Sequence, residues 1–331
     1  MFDLSELKAL LGEYPLLKAV LGHGWGDSKI VAISLAAFIL FGALFVLASR
    51  LQKRDAAQTS LVSGIFPPEH FKSIDTRIDL IVFALNKVLW VPAVVAITSF
   101  LIVEASASVL LESVFGDRAR QQAQSIPALI VQILAGYLSV EFAFYWVHRL
   151  MHTNKFLWGF HRCHHSGEVL TFLTGERNHP VEILLQIAAA ALMSGTAMAA
   201  ALYVTGVTMH PALPFALFLV AIGVEFLDKL HHSHFRISFG PLNYLFVSSR
   251  MHQIHHSAES RHRDRNFGGT TSLFDCVFGS LYIPKSDEEF RLGLNDVELG
   301  PQNPHRKAKD FYVEPFVFAW RALAKPRNAA L

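Results

Sequence analysis

The feature that most restricts what this chain can fold into is a series of apolar stretches long enough to cross a lipid bilayer. A hydrocarbon core needs roughly 20 residues of helix at about 1.5 Å each. Five stretches reach about that length, near residues 30–49, 78–103, 127–147, 181–206 and 211–229. Ile30 to Ser49 holds no charged side chain, whereas the second stretch carries Asn86, Lys87 and Pro92 and is expected to kink or tilt. Only 17% of the residues are charged, against about 25% in an ordinary soluble domain. The expected fold class is an all-α integral membrane protein, a bundle of four to five transmembrane helices with a cytoplasmic helical cap. Leu4 to Leu21 has leucines at helical spacing, broken at Pro15, and reads as a helix lying in the membrane surface. Pro315 to Ala324, with Phe316, Phe318 and Trp320, reads the same way.

Threading five crossings puts residues 50–77, 148–180 and 230–331 on one side of the bilayer, and most lysines and arginines fall there. Among the short loops, Arg50, Lys53, Arg54, Lys72 and Arg77 oppose Arg118 and Arg120. The positive-inside bias makes that side cytoplasmic, in a bacterial inner membrane or the endoplasmic reticulum. The connection from Gly206 to Pro211 is short enough to make the last two spans a hairpin. The expected organisation has three parts. An N-terminal part over 1–125 holds the interfacial helix and the first two spans, a central catalytic unit covers 126–290, and a cytoplasmic tail covers 291–331. A net charge of only +2, scattered along the chain, argues against a nucleic-acid partner.

The cytoplasmic side is also where most of the 17 histidines gather. After the third stretch the chain reads YWVHRLMH, with His148 and His152 one helical turn apart. HRCHH follows, placing His161, His164 and His165 on one face of a turn, and MHQIHH supplies His252, His255 and His256. Between them, DKLHHSH adds His231, His232 and His234, with Asp228 four residues before His232. An imidazole offers one lone pair and one N–H, so crowding eight or more together leaves groups unpaired, at about 1–3 kcal/mol each, unless cations hold them. Eight or nine nitrogens exceed the needs of one ion, so two metals are implied. The two cysteines, Cys163 and Cys276, form no CxxC pair, which leaves nitrogen and oxygen ligands. Imidazole suits iron, zinc, copper and nickel alike. His23 and His210 fall on the other side of the bilayer and His70 has no neighbouring histidine; His262 and His305 stand alone in polar sequence and are expected at the solvated surface.

At these residues the chain resembles the sterol desaturase / fatty acid hydroxylase superfamily, whose hallmark is an HX3H, an HX2HH and a second, C-terminal HX2HH. FGPLNY at Phe239 to Tyr244 and NFGG…LFDCVFGSLYIP at Asn266 to Pro284 are similar to segments flanking its last histidine box, and the resemblance covers about residues 125–285. It implies metal ligands at His148, His152, His161, His164, His165, His252, His255 and His256, with His232 as a ninth. His234 stands where the family's HSN pattern has Asn, so His231 and His234 remain candidates beside His232. Asp228 is a candidate carboxylate ligand or hydrogen-bond acceptor. ERNHPVE is similar to the family's R-x-HP-x-E stretch and makes His179 a ligand or a partner to one, with Arg177 and Glu182 beside it. Glu141 at membrane depth and Asp275 in LFDCVFGS are expected to support ligands from outside the coordination sphere. Glu225, also at membrane depth, is expected to face the bundle interior.

The resemblance further implies a centre of two iron ions that uses O2 to hydroxylate or desaturate a C–H bond of a lipid, sterol or fatty acyl in type. The metals carry that chemistry, and no side-chain nucleophile is needed. GHGWG at Gly22 to Gly26 lacks the spacing of a dinucleotide fingerprint, so electrons are expected from a separate donor, cytochrome b5 or a ferredoxin with its reductase. Arg261, Arg263 and Arg265 offer a basic surface to an acidic carrier or to anionic lipid. The rival readings are a membrane metal-ion transporter or metal-binding protein, a haem protein, and a zinc-loaded non-catalytic family member. Transporters hold ligands near the midplane of their spans, whereas these boxes follow the spans.

Overall fold

The computed structural model describes residues 26–51, 61–88, 91–285, 288–295 and 303–324. Within them every regular element is a helix, and β pairing is limited to isolated bridges. The helices are α1 (Gly26–Leu51), α2 (Leu61–Ile65), α3 (Pro68–Phe71), α4 (Ile74–Val88), α5 (Val91–Phe115), α6 (Ile126–Thr153), α7 (Lys155–His165), α8 (Pro180–Thr205), α9 (Leu213–His231), α10 (Ser249–His255), α11 (Leu273–Phe278) and α12 (Ala308–Ala324). The expected interfacial helix over Leu4 to Leu21, and His23, lie outside the described residues.

Two described helices, α6 and α8, are long and apolar enough to cross a membrane. Their starts follow local chemistry. Ser125 caps α6 by accepting from Ala128 N at 3.3 Å, with a proline in the first turn, where its missing N–H costs nothing. His179 caps α8 through Nδ1, Pro180 opens it, and Gly206 closes it in the left-handed conformation at φ 67°. The 28 residues of α6 span about 42 Å at 1.5 Å each. That length keeps its capped start far from His148 and His152 at its end.

The second expected span is two helices rather than one kinked helix: α4 ends at Val88 and α5 begins at Val91, beside Pro92. A proline fits a helix start but not its interior, where it removes a hydrogen bond. α5 also continues to Phe115 through residues expected to form a loop, and Glu104 within it is buried and accepts from Ser108 Oγ at 2.9 Å.

α8 packs along α5 and α6, α9 along α1, and α12 along α7. At the bundle end away from the histidines, buried Gln132 donates to Thr208 O at 2.9 Å and accepts from His210 N at 2.8 Å, which ties down the α8–α9 hairpin. At the other end, Phe38, Val46 and Ile65 pack on Leu230 and Phe235, while Ile78 and Val82 pack on Cys163 and Phe311. The last contact involves the segment after residue 290, which the sequence suggested as a cytoplasmic tail. α12 holds Phe311 and Ala319 fully buried, and Arg162 of α7 donates to its Glu314 at 2.7 Å.

Candidate metal centre

The α6–α7 corner sets the first half of the site. Asn154 ends α6 and caps α7, its Oδ1 accepting from Phe156 N at 2.9 Å and Leu157 N at 3.2 Å. This sharp turn folds the end of α6 back onto α7, so His148 and His152 face His161 with ring centroids 4.8 Å apart in both pairs. The second half comes from the C-terminal end of α9, where His232 is the cap residue, and from the short α10.

Nine histidines converge in two groups. His148, His152, His161, His165 and His255 form one, His164, His232, His252 and His256 the other, and within each the candidate ligand atoms all lie within 4.8 Å of one another. His165 and His256 stack at 4.4 Å and join the two. Eight of the nine residues are buried and His152 is half-buried. Burial pushes the imidazoles of His161, His164, His165, His252, His255 and His256 well below the usual histidine range, and neighbouring imidazoles push the same way. They are therefore neutral at pH 7, the form that binds a metal.

The hydrogen bonds decide which nitrogen points inward. His148 Nδ1 faces the Phe267 carbonyl at 2.9 Å, His161 Nδ1 the Glu182 carboxylate at 2.8 Å, and His255 Nδ1 the Arg265 carbonyl at 2.8 Å. His232 Nδ1 faces both the carbonyl of Asp228 at 3.0 Å and its carboxylate at 3.1 Å. Carbonyls and carboxylates accept, so these Nδ1 atoms carry the proton and each Nε2 keeps its lone pair. The Nε2 atoms of His148, His152 and His255 are buried without any hydrogen-bond partner. His252 Nε2 lies 2.9 Å from His232 Nε2 and 3.0 Å from His256 Nε2, and one nitrogen cannot satisfy both. Converging lone pairs repel unless a cation sits among them, so this donor set fits two metal ions held by nitrogen.

A loop that the ligand spacing does not reveal holds two of these acceptors. Asn266, at φ 56°, donates to Met251 O and Tyr282 O, both at 2.9 Å. Asp275 accepts from Phe267 N and Gly268 N, both at 2.8 Å, and from Ser280 Oγ at 2.7 Å. A side chain at Gly268 would collide with Thr271 O and the Asp275 carboxylate. Glu141 accepts from Thr270 N at 3.0 Å, Thr270 Oγ1 at 2.7 Å and Thr271 N at 3.1 Å. Neither carboxylate touches a histidine; both fix the loop whose carbonyls do.

The other candidates stand outside both groups. His179 has its Nδ1 occupied by Val181 N and donates from Nε2 to Tyr312 O at 3.2 Å, so it is a helix cap with no lone pair left to give. His231 Nε2 pairs with Val247 O at 2.8 Å, and His234 Nε2 with Gly64 O at 3.0 Å. Asp228 turns its carboxylate to His232, and Gly175 makes room for it, since a Cβ there would overlap that carboxylate. Arg177 is fully buried and reaches Asp79 at 2.6 Å, Cys163 O at 2.9 Å and Ser166 Oγ at 3.0 Å, which clamps the C-terminal turn of α7. Glu225 pairs with Lys229. His262 and His305 are buried rather than solvated: His262 pairs with Ser257 Oγ at 2.9 Å and Glu288 at 3.0 Å, and His305 lies 3.5 Å from Glu314. Polar neighbours in sequence misled that expectation, because tertiary contacts supplied the partners.

Removing an acceptor tests this arrangement. Glu182→Ala frees the His161 ring to turn and is expected to weaken metal retention about 10–100-fold in a chelator competition; retention equal to the parent protein would remove Glu182 from the site.

Comparison with known proteins agrees with the motifs. Residues 133–280 match the fatty acid hydroxylase family model. The chain is 29% identical over 163 residues to the ornithine lipid hydroxylase OlsE of Rhizobium tropici, covering 49% of this chain and 45% of that protein. It is 25% identical over 151 residues to the alkylglycerol monooxygenase of Homo sapiens, covering 44% and 30% respectively. A putative methylsterol monooxygenase of Dictyostelium discoideum is 28% identical over 168 residues, covering 50% and 56%. The matches thus span about a third to a half of these relatives' lengths. No solved structure matches the chain. The stretch that matches the fatty acid hydroxylase family model, residues 133–280, contains all nine clustered histidines, and the relatives named above are lipid hydroxylases and monooxygenases to which this chain is similar.

Proposed function

We propose that this protein is a membrane-bound lipid oxygenase whose nine histidines hold two iron ions, and that it hydroxylates or desaturates a C–H bond of a lipid. The observation that carries the reading is the division of nine histidines into groups of five and four with lone-pair nitrogens converging in each. Bound there, the metal pair supplies the reduction of O2 and the oxidation of an unactivated C–H bond. The chain's own part is positional. Glu182, Asp228 and the carbonyls of Phe267 and Arg265 hold the Nδ1 protons and turn the Nε2 atoms inward. Burial of the rings keeps water from the site. Zinc has no redox chemistry, so similarity to a hydroxylase and monooxygenases favours iron. The three relatives named above are described by lipids, which makes a lipid the substrate class.

In this reading residues 126–290 are the catalytic unit, carried by four to five spans with the centre at the cytoplasmic face of a bacterial inner membrane or endoplasmic reticulum. The five apolar stretches and the uneven basic residues support that topology. Electrons come from a separate carrier, cytochrome b5 or ferredoxin with a reductase, and the exposed Arg261 and Arg263 are suited to an acidic one. Protein purified into lipid nanodiscs is expected to hold about two iron ions per chain and, with a reduced carrier, to consume O2 only when substrate lipid is supplied. Movement of a transition metal across vesicles with no O2 uptake would overturn the reading.

A further inference from the structure

A cavity beside the histidine centre takes no part in holding it. It is an apolar groove of about 590 Å3 between α7, the start of α8 and α12, lined by Phe156, Phe160, Val181, Phe316, Val317, Ala319 and Trp320. That volume lies within the roughly 300–1,000 Å3 of ligand clefts. Its wall is set by neighbours of the site, since Phe160 precedes His161 and Val181 precedes Glu182, the pair joined at 2.8 Å.

Two features identify the occupant. The apolar lining does not stop at the groove: from Val181 an exposed face of α8 runs on through Leu184, Leu185, Ala188 and Leu192 at one-turn spacing, along a helix long and apolar enough to cross a membrane. The opposite wall, α12, buries Phe311 and Ala319 yet leaves Val313, Phe316, Val317, Trp320 and Leu323 exposed along one stripe, Trp320 at 73%. A soluble chain rarely leaves so large an apolar stripe in water, and tryptophan at the edge of such a stripe is typical of the bilayer interface. A neighbour that covers both the α8 face and this stripe is a lipid.

We infer that the groove is a binding site for one acyl chain of a bilayer lipid, by which the tail leaves the membrane beside α8 and is held next to the His161–Glu182 pair. It supplies the substrate-holding element that the proposed oxygenase needs, and in that respect rests on that reading. Phe160 and Phe316, with rings 5.1 Å apart, form the wall against which the chain packs. Val317, partly exposed at the rim, is the position at which a larger side chain fills the groove without entering the core.

The test uses the full chain in nanodiscs of phosphatidylcholine bearing a photoactivatable diazirine in mid-chain, with adducts mapped by mass spectrometry. Adducts are expected on Phe156, Phe316 and Trp320 as well as on Leu192, and Val317→Trp is expected to reduce the groove adducts about ten-fold while leaving those on Leu192 unchanged. In oxidation assays the same variant is expected to raise KM about ten-fold with kcat changed little. Labelling confined to α8, groove labelling unaffected by Val317→Trp, or crosslinks from the groove to another polypeptide would each overturn the inference. Labelling needs no catalysis, so lipid in the groove of an inactive protein would sink the oxygenase reading alone, and activity without groove labelling would sink this one alone. Trp320→Ala, which removes a wall rather than filling the space, guards against misfolding of the first variant and is expected to lower groove labelling too.

Discussion

Replacing His252 by alanine is expected to lower bound metal from about two ions per chain to about one and to reduce lipid oxidation by about a thousand-fold or more, measured by metal analysis and O2 uptake. Within its group of four, His252 has its Nε2 at 2.9 Å from that of His232 and at 3.0 Å from that of His256, both closer than the 3.4 Å between His232 and His164. Alanine leaves three nitrogens where four converged, and the oxidation needs both ions in register. The five-histidine group keeps all its members, which is why one ion is expected to remain. Loss of both ions together would mean that the groups form one cooperative site. Full metal content with full activity would remove the four-histidine group from the chemistry. His262→Ala is the matched control, since His262 is equally buried but faces Ser257 and Glu288, outside both groups.

Arg177→Met is expected to destabilise the fold by about 3–5 kcal/mol in denaturant unfolding of the detergent-solubilised protein, because it leaves Asp79 as a buried carboxylate without its partner. The pair is 2.6 Å apart, with side chains 0% and 1% exposed. Arg177 also donates to the Cys163 carbonyl in the turn that carries His164 and His165, so metal content is expected to fall alongside stability. The double variant Arg177→Met, Asp79→Asn removes the stranded charge and is expected to recover a large part of the loss. If the double variant is no more stable than the single one, the clamp on α7 rather than the charge pair accounts for the effect.

These residues show where the sequence is readable. His148 and His152, or His252 and His256, are one helical turn apart, and a helix puts such pairs on one face whatever surrounds it. Asp228 could be suspected for the same reason, one turn before His232, whereas Glu182 stands near His179 in sequence and its partner in the fold is His161, 21 residues away. The acceptors for His148 and His255 could not, because they are backbone carbonyls of Phe267 and Arg265, and every residue has one. The segment that presents them is readable only as a family-like string until Asp275, Asn266 and Glu141 are seen bonded to it. His179 is the opposite case. Its HP context resembles a functional motif, yet both of its nitrogens are taken by backbone groups.

By itself, the sequence determined that the chain is helical and apolar, and that eight imidazoles recur at one-turn intervals; both follow from periodicity, which is local. Only the tertiary structure decided how the clustered imidazoles divide into five and four, that His232 joins while His231 and His234 turn away, and that α12 closes against α7 to leave an apolar groove. The reason is that a ring's partner is set by which backbone carbonyl or carboxylate lies within about 3 Å of it. That proximity arises between segments more than a hundred residues apart, as between His148 and Phe267, and no local pattern encodes it.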